Sequence, residues 1–208
     1  MERSIDFAIG EYYHVYNRGV DKRLLFKTTS DYIRFQKLLY IRNSDKRLDI
    51  DRVALKQLKC IDRGEPIVDI VVYALMPNHF HLLLREKQLG GISTFMNKLC
   101  TSHAMYFNKK YERTGPLMCR PFRCKHVAED DYFRWVISYI HLNPKEVVQA
   151  SGEAGVGTYP FSSYIDYYRP DREEGLLLAK AALPIDITAL EDERAMTEAL
   201  ETSVLGVP

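Results

Sequence analysis

Two apolar runs that meet at Met76-Pro77-Asn78 constrain this chain more than any other stretch. They span Val68 to Arg85, reading Val-Asp-Ile-Val-Val-Tyr-Ala-Leu-Met-Pro-Asn-His-Phe-His-Leu-Leu-Leu-Arg. Proline and asparagine favour turns, so the stretch predicts two strands joined by a tight connection. Side chains alternate faces along a strand, so His79 and His81 point one way while Phe80, Leu82 and Leu84 point into a core. Val68 to Leu75 is nearly continuous apolar, as in a strand buried on both faces. Paired imidazoles backed by an apolar face suit a metal site. The same spacing also fits a solvated strand face.

A chain of 208 residues, 46% of them hydrophobic, predicts one domain with extensions. The opening Met1-Glu2-Arg3-Ser4-Ile5-Asp6 is charged, and no apolar run reaches membrane length. These features predict a cytoplasmic protein with no membrane partner. Cys60, Cys100, Cys119 and Cys124 are expected as reduced thiols. Cys119 and Cys124 lack the second close pair that a structural zinc needs.

Net charge is only +1, but it is polarised. Tyr12 to Arg47 holds nine Lys or Arg against three Asp, and Lys98 to His126 holds seven against one Glu. Asp166 to Pro208 reverses the sign, with ten acids and four bases. Two basic stretches interleaved with Tyr106, Phe107, Tyr111 and Phe122 suit single-stranded nucleic acid. Candidate DNA contacts are Asn17, Arg18, Lys22, Arg23, Lys109, Lys110, Arg120 and Arg123; solvated helix faces are the plainer reading of such charge.

Along the chain, Glu11 to Tyr16 reads as a strand, and residues 17–23 as a loop whose amides and bases suit phosphates. Ser30 is the expected N-cap of a helix to about Arg42, with Ile33, Leu38, Leu39 and Ile41 on its inner side. Asn43 to Gly64 is charged and weakly patterned and reads as an insertion, with a short helix near Val53 to Leu58. The clearest helix is Ile92 to Asn108, with His103 as a core histidine on its apolar face. Leu117 to Val127 is basic and extended, and Pro121 argues for a sheet edge. Acids at Glu129-Asp130-Asp131 start a helix that Pro144 stops near Asn143. Phe133, Val136, Ile137 and Ile140 form its core stripe, while Tyr132, Trp135, Tyr139 and Asn143 lie along another face. Ala189 to Glu201 is a polar helix or disordered.

Four blocks then occur in order: Tyr13-His14-Val15-Tyr16-Asn17-Arg18-Gly19, Met76-Pro77-Asn78-His79-Phe80-His81-Leu82-Leu83, Tyr139-Ile140-His141-Leu142-Asn143-Pro144 and Tyr159-Pro160-Phe161-Ser162-Ser163-Tyr164. With them, the chain from about Tyr12 to Tyr164 resembles the HUH single-tyrosine transposases, especially their REP-associated branch. Residues 43–64 and the tail after Tyr168 depart from that pattern. The resemblance implies an α+β, ferredoxin-like fold, a central antiparallel sheet with helices on one face. Residues 1–168 would be the catalytic domain, with 43–64 inserted, and 169–208 an acidic C-terminal extension. It also implies that His79, His81 and Asn143 bind a divalent metal, Mg2+ or Mn2+, and that Tyr139 is the nucleophile. The implied partner is single-stranded DNA with hairpins, at the nucleoid, with no small-molecule substrate; a homodimer is one assembly state it admits.

In such a reaction the phenol attacks phosphorus, forms a 5′-phosphotyrosine and frees a 3′-hydroxyl. The covalent link conserves the bond energy, so a second 3′-hydroxyl reverses the step without ATP. Two other functions fit parts of the sequence. One is a repeat-DNA-binding protein without catalysis. The other is a metallohydrolase using water, for which no carboxylate is evident as base near His79 and His81. Tyr132, a turn or two before Tyr139 on a similar face, is the rival nucleophile.

Overall fold

The computed structural model describes residues 6–53, 57–128, 130–152, 155–168, 171–190 and 193–202. The elements are β1 (Tyr12–Arg18), α1 (Thr29–Arg42), α2 (Ile50–Val53), β2 (Val68–Met76), β3 (His79–Glu86), α3 (Gly91–Lys110), β4 (Arg123–Val127), α4 (Asp130–Leu142), α5 (Lys145–Ser151), α6 (Tyr164–Tyr168) and α7 (Glu193–Thr202), with short 3-10 turns between them. The four strands form one antiparallel sheet in the order β2-β3-β1-β4. Two split units, β1-α1-β2 and β3-α3-β4, interleave in it, which is the expected ferredoxin-like arrangement.

The hairpin lies where the apolar runs meet. Met76 pairs with His79, so Pro77 and Asn78 alone make the turn. Phe80, Leu82 and Leu84 are buried with Tyr13 and Val15 in a core beneath α1 and α3. Every residue of β2 is buried. That requires cover on both sides, and the second face meets α4 and α7. There Val71, Val72, Ala74, Met76 and Leu83 pack on Phe133, Val136, Ile137, Ile140 and Met196. The expectation of helices on one face is corrected accordingly: a sheet apolar on both faces needs a layer on each. A register shift between Ile70 and Val72 turns both Val71 and Val72 toward α4.

β2 is also a sheet edge, and an open edge invites pairing with other chains. The segment after α5 covers it. Leu75 N donates to Phe161 O at 2.9 Å, Ser163 N to Tyr73 O at 2.9 Å, and Ala179 N to Ile70 O at 2.9 Å. Tyr159 Oη donates to Leu75 O at 2.6 Å and Tyr167 Oη to Val71 O at 2.8 Å. The fourth sequence block thus seals the edge of the hairpin strand.

Local starts and stops differ in detail from the sequence reading. α1 begins two residues earlier than Ser30 as N-cap implies, because the Asp31 carboxylate accepts from Thr28 N at 3.0 Å and so makes Thr28 the cap. Ile33 lies on the solvent side, 46% exposed, and Phe35 takes its place among the buried residues. The α3 N-terminus is capped from within the sheet: Glu86, fully buried, accepts from Gly91 N at 2.9 Å and Ile92 N at 2.7 Å. His103 is a core histidine, bonded through Nε2 to Leu25 O at 2.8 Å. β4 lies at the other edge of the sheet, as Pro121 suggested.

Within 43–64, Asn43 Oδ1 accepts from Ile67 N and Val68 N, and Leu58 and Ile61 join the core. The helix expected near Val53 to Leu58 falls partly outside the described residues; α2 ends at Val53 and a 3-10 turn covers Leu58–Cys60. Beyond Tyr168, Leu177 enters the first core cluster, and Leu190 and Met196 the second. Among the described residues no helix is long and apolar enough to cross a membrane.

Candidate active site

Strand register builds the site. Residues paired across a sheet share a face, so three rows stand on the α4 side. One row is Ala74, His81, Tyr16 and Arg123; the next is Val72, Leu83, His14 and Lys125; the third is Met76, His79 and Arg18. His79 and His81 therefore lie on one face, with ring centroids 5.2 Å apart and planes at 87°. α4 crosses this face and brings Tyr139 edge-on to His81, centroids 5.3 Å apart at 90°. Tyr139 is half-buried and stacks on Trp135 at 5.0 Å. Asn143, one turn on, puts Oδ1 3.0 Å from His79 Nε2. The helix and the hairpin, some sixty residues apart in sequence, meet at these four side chains.

The hydrogen bonds fix which ring nitrogens face the site. His79 Nδ1 lies 2.7 Å from Asn78 Oδ1, an acceptor, so Nδ1 carries the proton and Nε2 a lone pair. That lone pair faces another acceptor, Asn143 Oδ1. Two such atoms hold together only if Asn143 turns its amide to donate or a cation lies against both. His81 Nδ1 lies 2.8 Å from His14 Nε2, which leaves His81 Nε2 for the site.

Burial favours the neutral form of these rings. It lowers the His79 pKa, against the opposing effect of the Asn143 amide oxygen as an acceptor. It pushes His81 well below its ordinary value, with His14 and His79 adding to the shift. It brings His14 down to about 4, helped by Lys125. A neutral imidazole is the ligand form, so two nitrogens and an amide oxygen fit a divalent ion. Among the described residues no three His, Cys, Asp or Glu side chains form a metal cage of their own.

A cavity of about 720 Å³ opens beside His79 and Asn143, between the Pro77-Asn78 turn and the start of α5. Lys145 and Glu146 stand on its wall. The 19–23 loop docks on the same turn: Gly19 N donates to Asn78 O at 2.9 Å and Asn78 Nδ2 to Lys22 O at 3.4 Å.

The candidate DNA contacts fall into separate places. Arg18 and Arg123 are exposed on the histidine face. Lys22 and Arg23 flank the turn, where Arg23 is held by Asp21 at 3.0 Å. Arg120 is exposed beside a second cavity that Asn17 also lines, yet Asn17 itself is buried and faces away from the histidines. Lys109 and Lys110 end α3 across the sheet from the histidines. Lys110 lies 2.6 Å from Asp31, which is fully buried, so its charge is engaged by that carboxylate.

Three residues of the cluster escaped sequence reasoning. His14 sits in the first block, but only the β1–β3 register shows it against His81. Tyr16 stacks on His81 at 5.4 Å and 25°, as near as Tyr139 but face-on. Lys125 stands over the Tyr132 ring at 4.6 Å. The rival Tyr132 is 4% exposed and its hydroxyl has no hydrogen-bond partner. Burial and the neighbouring Tyr16 push its pKa up to about 12. Trp135 lies stacked between it and Tyr139.

In fold, and by the family model that matches residues 64–143, the chain resembles the single-tyrosine transposases. Residues 64–143 match the family model described as "Transposase IS200 like", from just before β2 to Asn143. Among solved structures, the chain is similar to a REP-associated tyrosine transposase bound to a REP hairpin. The TM-score is 0.56 at 14% identity, over 82% of this chain and 87% of that one. No curated protein matches it in sequence.

Proposed function

We propose that this chain is a metal-dependent DNA nickase and strand transferase that acts on single-stranded DNA beside hairpins, as a transposase does. The observation that carries the reading is the convergence of Tyr139 and Asn143 from α4 onto His79 and His81 from β3. The IS200-like match and the hairpin-bound structural neighbour support DNA as the substrate class.

His79 Nε2, His81 Nε2 and Asn143 Oδ1 would hold a divalent ion, Mg2+ or Mn2+; two nitrogens favour the softer Mn2+. When bound, such an ion polarises the scissile phosphate as a Lewis acid. His14 holds the His81 ring so that Nε2 faces the site. Arg18 and Arg123 flank the histidines and attract phosphates on either side of the cut. Tyr139 Oη forms a bond to phosphorus as the 3′-oxygen leaves; the phenolic proton passes to solvent and the leaving oxygen takes one up. Trp135 fixes the phenol ring by stacking, about 0.5–1.5 kcal/mol of orientation. Tyr132 is a poorer nucleophile, since burial disfavours its phenolate.

The test is a labelled hairpin oligonucleotide with a single-stranded flank, incubated with Mn2+ and resolved on a denaturing gel. A covalent adduct is expected in the native chain, lost in Tyr139→Phe and retained in Tyr132→Phe and Tyr16→Phe. An undiminished adduct in Tyr139→Phe overturns the assignment. Tight binding with no adduct in the native chain supports the repeat-binding reading instead.

A further inference from the structure

The sheet face opposite His79 and His81 carries a cleft that the catalytic reading does not use. It lies along α1 and α3, has a volume of about 770 Å³ and is lined by Arg34, Arg42, Ile50, Met105, Tyr106 and Lys109 among others. Arg34 stacks on the Tyr106 ring at 4.5 Å, and its Nε is buried with no hydrogen-bond partner. Arg42 Nε donates to Ser102 Oγ at 2.7 Å. Its pKa is lowered by burial and by the charge of Arg34, so the two guanidinium groups repel each other across this space. No carboxylate among the described residues answers them. Asp49 on the cleft wall pairs with Arg52 at 3.3 Å, and Asp31 is taken by Lys110 at 2.6 Å.

Two like charges in one cleft are costly unless an anion lies between them, and a guanidinium fork matches phosphate oxygens well. Met105, 69% exposed, and Ile50 also line the cleft, so a sugar or base next to the phosphate has apolar surface to rest on.

We propose that the α1–α3 cleft is a second nucleic-acid contact, which takes a phosphodiester of the bound strand between Arg34 and Arg42. The proposal rests on DNA being the substrate of the histidine face. It places a strand contact on both sides of the sheet, so that the DNA wraps the domain rather than touching one surface. Lys109 at the rim adds a third cation. A free phosphate or nucleotide shares this chemistry, and the experiment separates it from a strand.

Two methionines serve as reporters. Met76 borders the cavity beside His79, and Met105 borders the arginine cleft. With methionine methyls labelled with carbon-13, the full chain is titrated with a hairpin oligonucleotide bearing a single-stranded flank, and separately with pyrophosphate. DNA is expected to move both signals in the native chain, and only Met76 in the Arg34→Gln, Arg42→Gln double variant. The slope of log affinity against log salt should become shallower by about 1.4 in that variant, since each lost single-strand phosphate contact removes about 0.7. Lys109→Gln, an exposed and mild change, should remove about 0.7 by itself. A Met76 shift with Met105 unmoved overturns the cleft proposal and leaves the catalytic reading standing. Neither signal moving ends both. Pyrophosphate moving Met105 where DNA does not makes this a small-anion site and overturns the strand contact.

Discussion

His14 Nε2 and His81 Nδ1 lie 2.8 Å apart on neighbouring strands, both rings buried. A hydrogen bond between two ring nitrogens needs one donor and one acceptor, so one proton lies between them, and the contact selects which face of His81 can bind a ligand. A histidine that holds another in this way fixes its tautomer and its orientation.

His14→Phe keeps the ring volume and removes that contact. Partners of metal ligands are worth about 10- to 100-fold in affinity. Calorimetric titration with Mn2+ should therefore show a loss of that size, with little change in unfolding midpoint. Equal Mn2+ affinity in native chain and variant would show that His14 only fills space.

Asp31 is a buried anchor for three side-chain donors besides the Lys27 and Thr28 amides. Lys110 Nζ, Tyr106 Oη and Tyr111 Oη reach it at 2.6, 2.9 and 2.7 Å. Burial alone would raise its pKa; the hydrogen bonds from Lys110, Tyr111, Lys27 N and Tyr106 outweigh that and hold it well below the usual carboxylate range. A carboxylate with a depressed folded-state pKa adds stability above its unfolded value near 4 and loses it as pH falls further. Asp31→Ala should cost about 1–3 kcal/mol at pH 7, because it removes the shared acceptor of Lys110, Tyr106 and Tyr111. Urea unfolding at pH 7 and pH 3 checks this: the gap between native chain and variant should narrow at the lower pH.

Lys110 and Arg123 are both basic candidates for DNA contact, but they sit in different surroundings: Lys110 pairs with buried Asp31 and Arg123 is exposed on the histidine face. Lys110→Ala should lower stability through Asp31 and leave the salt slope of DNA binding unchanged. Arg123→Ala should leave stability within about 0.5 kcal/mol and make the slope shallower by about 0.7. Fluorescence anisotropy at several salt concentrations, with parallel melts, separates the two.

Asp166, fully buried, accepts from Tyr73 Oη at 3.2 Å and lies 3.4 Å from Arg172. Burial pushes its pKa up to about 6, against the pull of Arg172 and Tyr73. A carboxyl whose folded pKa exceeds its unfolded value near 4 is held more readily in its protonated form by the fold. Its ionisation therefore costs stability as pH rises through 4 to 6, and the cost is full above that. Asp166→Asn should flatten the dependence of unfolding midpoint on pH between 4 and 7. An unchanged slope would place the titrating group elsewhere.

The sequence determined the local parts. Period-two alternation set His79 and His81 on one side and Phe80, Leu82 and Leu84 on the other, and Pro77-Asn78 fixed the turn. Helical spacing put Tyr139 and Asn143 one turn apart, with Pro144 as the stop. These features depend on neighbours within a few residues, so they are written in the chain. Tertiary structure decided everything that depends on register. Only the pairing of Tyr16 with His81 and of His14 with Leu83 brings His14 within reach of His81 Nδ1. Only the second helical layer over the sheet brings Tyr139 to the imidazoles. The commitment of Lys110 to Asp31 is likewise invisible in sequence, because a charge's partner is set by which buried group lies nearest in space, seventy-nine positions away in this case.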